Sequence, residues 1–203
     1  MRLYDFPFPG SRGSRARWML EETGVPFEVT ALNPQAGELK TATHMERHPH
    51  GKVPALETDG LSLIESGAIC LHLADLYPEA GLAPAVGTAD RGHYYQWVLY
   101  AAATLDEPLI ERLFNAVILP ATQRDPAKVE RADKVWASAG PFLNAALEGQ
   151  TWLVGDRFSA ADVAIGYDVH LAGRMGMLDA FPNLGAYRAR LMARPAFQRV
   201  YGT

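Results

Sequence analysis

Apolar residues recur along this chain first at the mixed periods of strands and helices, and then, past residue 78, only at the period of helices. In the first part, strand signals fall at residues 3–6, 27–31, 55–57 and 61–64, and helix signals at about 14–24, 37–46 and 65–77. That order suits a βαβ unit followed by a ββα unit. A boundary falls near Tyr77-Pro78, after which "EAGLAPAVGTADRG" is rich in Ala, Gly and Pro. From Asp90 onward Tyr94, Trp97, Val98, Ala101 and Leu105 keep a helical step, and Pro108 is expected to kink that helix. Farther on, Val129, Ala132, Trp136, Ala139, Leu143 and Ala146 mark a helix with one buried face. The pattern therefore predicts an α/β domain over 1–78, a linker over 79–89 and an all-helical domain over 90–203.

A chain of 203 residues, 48% apolar and 21% charged, can bury one large core or two modest ones. No apolar run approaches the roughly 20 residues that a membrane helix needs. Asp5 and the arginines at 12, 15 and 17 interrupt the start, so a signal peptide is not expected. The single cysteine, Cys70, excludes an intrachain disulfide and points to the reducing cytoplasm; inside "SGAICLHLADLY" it reads as a small buried hydrophobe. A net charge of −4, spread without blocks, argues against nucleic acid as the main partner.

The chemistry concentrates at residues 51–69. The residue before a proline is pushed out of the α region, so Val53 should present its N–H and C=O along a strand edge, where a ligand's backbone can pair with them. Beyond the strand "LSLI", Ser66 stands where a helix N-cap belongs, and the free N–H groups there would attract a carboxylate. Glu65 beside it would attract an ammonium. An α-amino acid head group carries both charges, although a proline turn leading into an ordinary capped helix fits the same residues.

"KVPAL", a spacer of eight residues, and then "ESGAI" resembles the glutathione-binding signature of the glutathione S-transferase family. The opening strand "RLYDF", the helix "ARWMLEETGVPFEV" and the late motif "GDRFSAADVAIG" agree with it. The resemblance implies a thioredoxin-like N-terminal domain, a helical C-terminal domain, a homodimer and glutathione as co-substrate. It implies a cis Pro54, backbone pairing of Val53 with the cysteinyl unit, and Glu65 and Ser66 holding the γ-glutamyl head. Lys40 and His44 lie where relatives often bind the glycine carboxylate, though a solvated helix face fits either, and Lys52 could reach the same group. Asp106, in "ATLDEPLI", could approach the γ-glutamyl ammonium across a dimer interface, as in some theta-like relatives.

Catalysis in such a protein needs the thiol ionised, since the thiolate is the nucleophile and a free thiol has a pKa near 8.5. A hydroxyl donor at the positive end of a helix lowers that value. Ser11 lies four residues before Arg15-Ala16, the spacing of the catalytic serine in theta-like members; Ser14 is the second candidate, with a plain helix cap as its alternative, and backbone N–H groups alone are the third. The tyrosine position of alpha- and mu-like members falls near Phe6, and the cysteine position of beta- and omega-like members near Arg12, so both subgroups are disfavoured. Arg12 and Arg15 could favour an anionic substrate or simply face solvent. The family's usual Asn-Pro before the signature is His48-Pro49 here.

An apolar electrophile is expected between the domains, near the 7–12 loop and Tyr94, Trp97 or Tyr100. Tyr4 reads as a packing strand residue. Ser159 with Asp162 forms a capping box, with Phe158 and Val163 as a staple, at the head of a nearly all-apolar helix, so Asp162 reads as structural rather than as a catalytic acid. The histidines at 44, 48 and 50 lack partners at metal-ligand spacing, and no metal is expected. The expected activity is glutathione transfer to an apolar electrophile. The alternatives are a glutathione-dependent peroxidase, dehalogenase or isomerase of the same fold, or a non-catalytic glutathione-binding or protein-interaction module.

Overall fold

The computed structural model describes residues 1–202. Strand β1 (Arg2–Asp5) takes an interior place in a four-stranded sheet ordered β2-β1-β3-β4, with β2 at Glu28–Ala31, β3 at Ala55–Thr58 and β4 at Leu61–Ile64. β1 and β2 are parallel, while β3 runs antiparallel to both β1 and β4. The parallel pair needs a crossover, which helix α1 (Arg12–Thr23) supplies; the antiparallel pair needs only the tight turn at Asp59-Gly60. Leu3 and Leu56 from the sheet, Trp18, Met19 and Leu20 from α1, and Ile69, Cys70 and Leu73 from α3 (Ser66–Leu76) are fully buried together with this layer. This is the thioredoxin-like arrangement.

The helix expected over residues 37–46 is in two pieces, a 3-10 turn at Glu38–Lys40 and helix α2 at Ala42–Arg47. Thr41 divides them with extended backbone, and its side chain caps α2 by accepting from the His44 N–H at 3.3 Å. A polar residue that can bond its own backbone thus overrides the helical period.

The chain divides into two units by contact: Met1–Ala83 with the segment from Met192 onward, and Pro84–Leu191. Helix α9 (Pro195–Tyr201) belongs to the first unit because it packs on α1. Phe197 meets Trp18 edge to face at 5.0 Å between centroids, and Arg194 grips Glu22 through two hydrogen bonds of 2.7 Å. The helical domain expected over 90–203 includes this segment, since the loss of strand signals past residue 78 does not say which core a helix joins.

The described residues of the second unit are helices and connections: α4 (Ala89–Tyr100), α5 (Asp106–Leu113), α6 (Pro126–Ala146), α7 (Ala160–Arg174) and α8 (Pro182–Met192). Where a kink is expected from Pro108, the structure has a π-helical turn at Ala101–Leu105, between α4 and α5 and about one turn ahead of the proline. Proline cannot donate to the ladder, and the chain widens ahead of it. Every residue from Ala160 to Ala172 in α7 is buried, which makes that helix the centre of this unit.

Candidate functional site

The β3–β4 hairpin assembles the two halves of the sequence signature. Ala55 pairs with Ile64, and continuing this antiparallel register sets Pro54 against Glu65 and Val53 against Ser66. The Val53–Pro54 bond is cis. β3 begins only at Ala55, so Val53 precedes the strand rather than lying within it, and its backbone stands outside the ladder.

Glu65 has φ 69° and ψ 109°, a backbone that costs a non-glycine residue about 1–3 kcal/mol. This moves the N-cap one place from the expected Ser66 to Glu65, and Ser66 becomes the first helical residue. Glu65 makes no side-chain cap bond, and its carboxylate is exposed. The first helical N–H to find its carbonyl is that of Ile69, bonded to Glu65 at 2.9 Å. The N–H groups of Ser66, Gly67 and Ala68 are therefore left without helical partners and carry the positive end of α3. A carboxylate for an ammonium and open N–H groups for a carboxylate thus occupy adjacent positions.

Ser66 is buried, and its hydroxyl accepts from Arg15 Nη1 at 3.0 Å. Arg15 is 0% exposed, so its reading as a solvated or substrate-facing arginine is corrected. The signal was present in the period: Arg15, Trp18 and Met19 share one face of α1, and that face is buried.

At the head of α1, Ser11 is the N-cap, and its oxygen accepts from the Gly13 N–H at 3.0 Å. The same hydroxyl donates to Asp5 Oδ1 at 2.7 Å. Asp5, the last residue of β1, is 2% exposed and also accepts from the Phe6 N–H at 2.7 Å. Burial raises its carboxyl above the usual range, opposed by the Ser11 and Phe6 hydrogen bonds and by the charge of Arg17. A Cβ on Gly13 would overlap the Asp5 carboxylate, so glycine is what lets the strand end and the helix start meet. Ser14, the second candidate, is 1% exposed and accepts from the Gly10 N–H at 2.9 Å, which folds the loop back on itself. Ser11 is the more accessible of the two hydroxyls. Sequence reasoning missed Asp5, whose role arises only where strand and helix ends converge.

Loop 48–52 leads from α2 into the signature. His44 is buried and bonds the Lys52 carbonyl through Nε2 at 2.9 Å, so it is a loop support rather than a solvated residue. Lys40 sits on the 3-10 turn, not on a helix, and its Nζ donates to the His50 carbonyl at 3.0 Å. Lys52 is exposed beside Val53. His48, the departure from the family's Asn, is buried and its pKa is lowered by desolvation and then by the neighbouring His44 and His50. Tyr4 is structural: its hydroxyl donates to Glu57 at 2.7 Å, and the Arg47 guanidinium lies 4.3 Å above its ring centre.

In the second unit Asp106 begins α5 and is buried. Tyr94 is fully buried in α4, which corrects its reading as a pocket-lining residue; Tyr100 keeps partial exposure. The capping box is present at α7. Asp162 Oδ2 accepts the Ser159 N–H at 2.9 Å and the Ser159 hydroxyl at 3.2 Å. Oδ1 accepts the Leu153 N–H at 3.0 Å and the Tyr187 hydroxyl at 2.9 Å. Burial nevertheless pushes the Asp162 carboxyl up to about 6. Among the described residues no cluster of His, Cys, Asp and Glu could hold a metal ion, and no helix is long and apolar enough to cross a membrane.

Family models for the glutathione S-transferase N-terminal domain and C-terminal domain match residues 1–75 and 107–195. Glutathione S-transferase 4 of Zea mays is 31% identical over 196 residues, 92% of this chain and 86% of the maize protein. Glutathione S-transferase GST-4.5 of Xanthomonas campestris pv. campestris is 27% identical over 198 residues, 95% of this chain and 93% of that one. A solved sphingomonad glutathione S-transferase, complexed with glutathione, superposes with a TM-score of 0.84 at 28% identity, covering 100% of this chain and 98% of its own.

Proposed function

The chain belongs to the glutathione S-transferase family, and on that premise we propose that it binds glutathione on the first unit and delivers the thiolate to an apolar electrophile. The observation that carries the reading is the left-handed Glu65 at the head of α3. Strain of this kind persists where surrounding structure holds it, and here it leaves an acid uncommitted beside open N–H groups. The γ-glutamyl head has the matching ammonium and carboxylate. Ser66 stands with them, and the Val53 backbone, outside the ladder, pairs with the cysteinyl unit. Lys52 and Lys40 supply positive charge for the glycine carboxylate. The thiol then reaches the positive end of α1, where Ser11 is the activating hydroxyl of a theta-like, serine-type member and Ser14 supports the loop. Asp106 is the helical unit's candidate for the γ-glutamyl ammonium, and the partly exposed Tyr100 its candidate for an apolar electrophile, while Trp97 is buried like Tyr94. A homodimer working in the cytoplasm fits the family and the single buried cysteine.

The test measures glutathione affinity together with turnover on aryl halides, peroxides and maleyl substrates. The reading expects binding with turnover of an aryl halide, slowed in Ser11→Ala at neutral pH with affinity nearly unchanged. Binding without turnover on any of them would leave a glutathione-binding module instead.

A further inference from the structure

We propose that Asp5 is a positioning residue and proton acceptor acting through Ser11: as the glutathione thiol ionises, its proton passes to Ser11 Oγ while the Ser11 hydroxyl proton passes to Asp5 Oδ1. Thiolate and neutral Asp5 then form together. This deepens the reading above and rests on its placing the sulfur at the head of α1.

The argument is a count of bonds on one oxygen. A serine hydroxyl has one proton and two lone pairs. In the structure the proton goes to Asp5 at 2.7 Å and one lone pair takes the Gly13 N–H at 3.0 Å. One lone pair is left, which can accept a proton from a thiol but cannot donate to a thiolate. Ser11 becomes a donor to sulfur only if Asp5 stops accepting from it, and a neutral Asp5 does so by donating instead. In that state Oγ takes Gly13 N–H and Asp5 O–H on its lone pairs and gives its own proton to the sulfur. Every position is filled in both states. The S–H bond breaks, an Asp5 O–H bond forms, and the pair's net charge stays at one negative.

The setting favours this exchange. Asp5 is 2% exposed at the end of an interior strand, and Gly13 lacks the Cβ that would hold the carboxylate away. Two negative charges separated by a single hydroxyl do not both ionise readily, so the second forms at the expense of the first. Arg17 is the charged neighbour that acts on Asp5 and opposes its protonation, alongside the Phe6 N–H. The balance between them sets how much of the proton Asp5 keeps.

The experiment is a proton inventory. Glutathione is mixed with the whole protein at neutral pH in weak buffer containing an indicator dye, while the thiolate absorbance in the ultraviolet is followed. The proposal expects the thiolate band to appear with few or no protons released to solvent. In Asp5→Asn, where binding of glutathione by dialysis reports a folded site, the band should weaken or appear with a full proton released for each thiolate. A wild-type protein that releases one proton per thiolate overturns the proposal whatever the variant does, and so does an Asp5→Asn protein that retains the proton. Binding with no thiolate band overturns thiol activation itself, and no binding overturns the glutathione reading, so the three failures are distinguishable.

Discussion

Arg15 Nη1 donates to the hydroxyl of Ser66 at 3.0 Å across 51 positions of sequence, joining the first turn of α1 to the first residue of α3. The two helices whose positive ends take part in the proposed site are thereby tied by a buried guanidinium. Their alignment depends on a side chain that touches no substrate in the proposed mode.

Arg15→Lys keeps the charge and loses the planar fork, which is not a conservative change at a buried site. It is expected to cost about 1.5–3 kcal/mol, as for a buried hydrogen bond from a charged group left unmade, and to weaken glutathione binding several-fold. Urea unfolding and calorimetric titration check this. Wild-type values in both would show that the link does not organise the site.

Gly13→Ala would push a methyl into the Asp5 carboxylate. Overpacking of this order costs about 1–3 kcal/mol, and the strand end must move away from Ser11 to relieve it. Turnover at neutral pH should fall more than stability predicts. A variant as active and stable as the parent would mean that the contact between Asp5 and the helix start has no consequence.

Asp162→Ala is expected to cost about 2–3 kcal/mol by leaving the Ser159 and Leu153 N–H groups unpaired, and Tyr187→Phe about 1 kcal/mol. Because the two share a hydrogen bond, the double variant should lose less than the sum. Glutathione affinity at a temperature where the protein is folded should not change. Full stability with lost turnover in Asp162→Ala would assign the carboxylate to catalysis.

Within α7, Asp162 and His170 act on stability in opposite directions as pH changes. His170 is lowered from 6.5 to about 4 by burial, then by Arg188 and Arg174. The unfolded chain takes that proton first, so its contribution is present above pH 6.5 and lost as pH falls toward 4. Asp162 is raised from 3.8 to about 6, so its contribution is present below 3.8 and lost as pH rises through 6. Each spans on the order of 3 kcal/mol, and between pH 4 and 6.5 they offset. His170→Gln should therefore lose stability as pH rises across that window, and Asp162→Asn should gain it. Denaturant unfolding at a series of pH values would show the two slopes, and parallel curves for both variants would rule out this account.

The strands and most helices were readable because their signals are local: alternation in "LSLI", the period of α6 and the capping box at Ser159 each depend on residues a few positions apart. The signature was readable for the same reason, since a short hairpin joins its halves and the register carries Val53 and Pro54 to Ser66 and Glu65. The cap at Glu65 rather than Ser66 was not, because φ follows from how the strand turns into the helix.

What the sequence determined by itself is the order of elements, the family and the residue types gathered at residues 51–69. Short-range sterics and hydrogen bonding suffice for these. Only the tertiary structure decided that Arg15 is an internal tie and not a solvated charge, that Tyr94 belongs to the core, that α9 joins the first unit, and that the Ser11 hydroxyl donates its hydrogen bond to Asp5. Each of these depends on which partner comes near once distant segments pack, and on a buried polar group taking the partner it finds there because water is excluded.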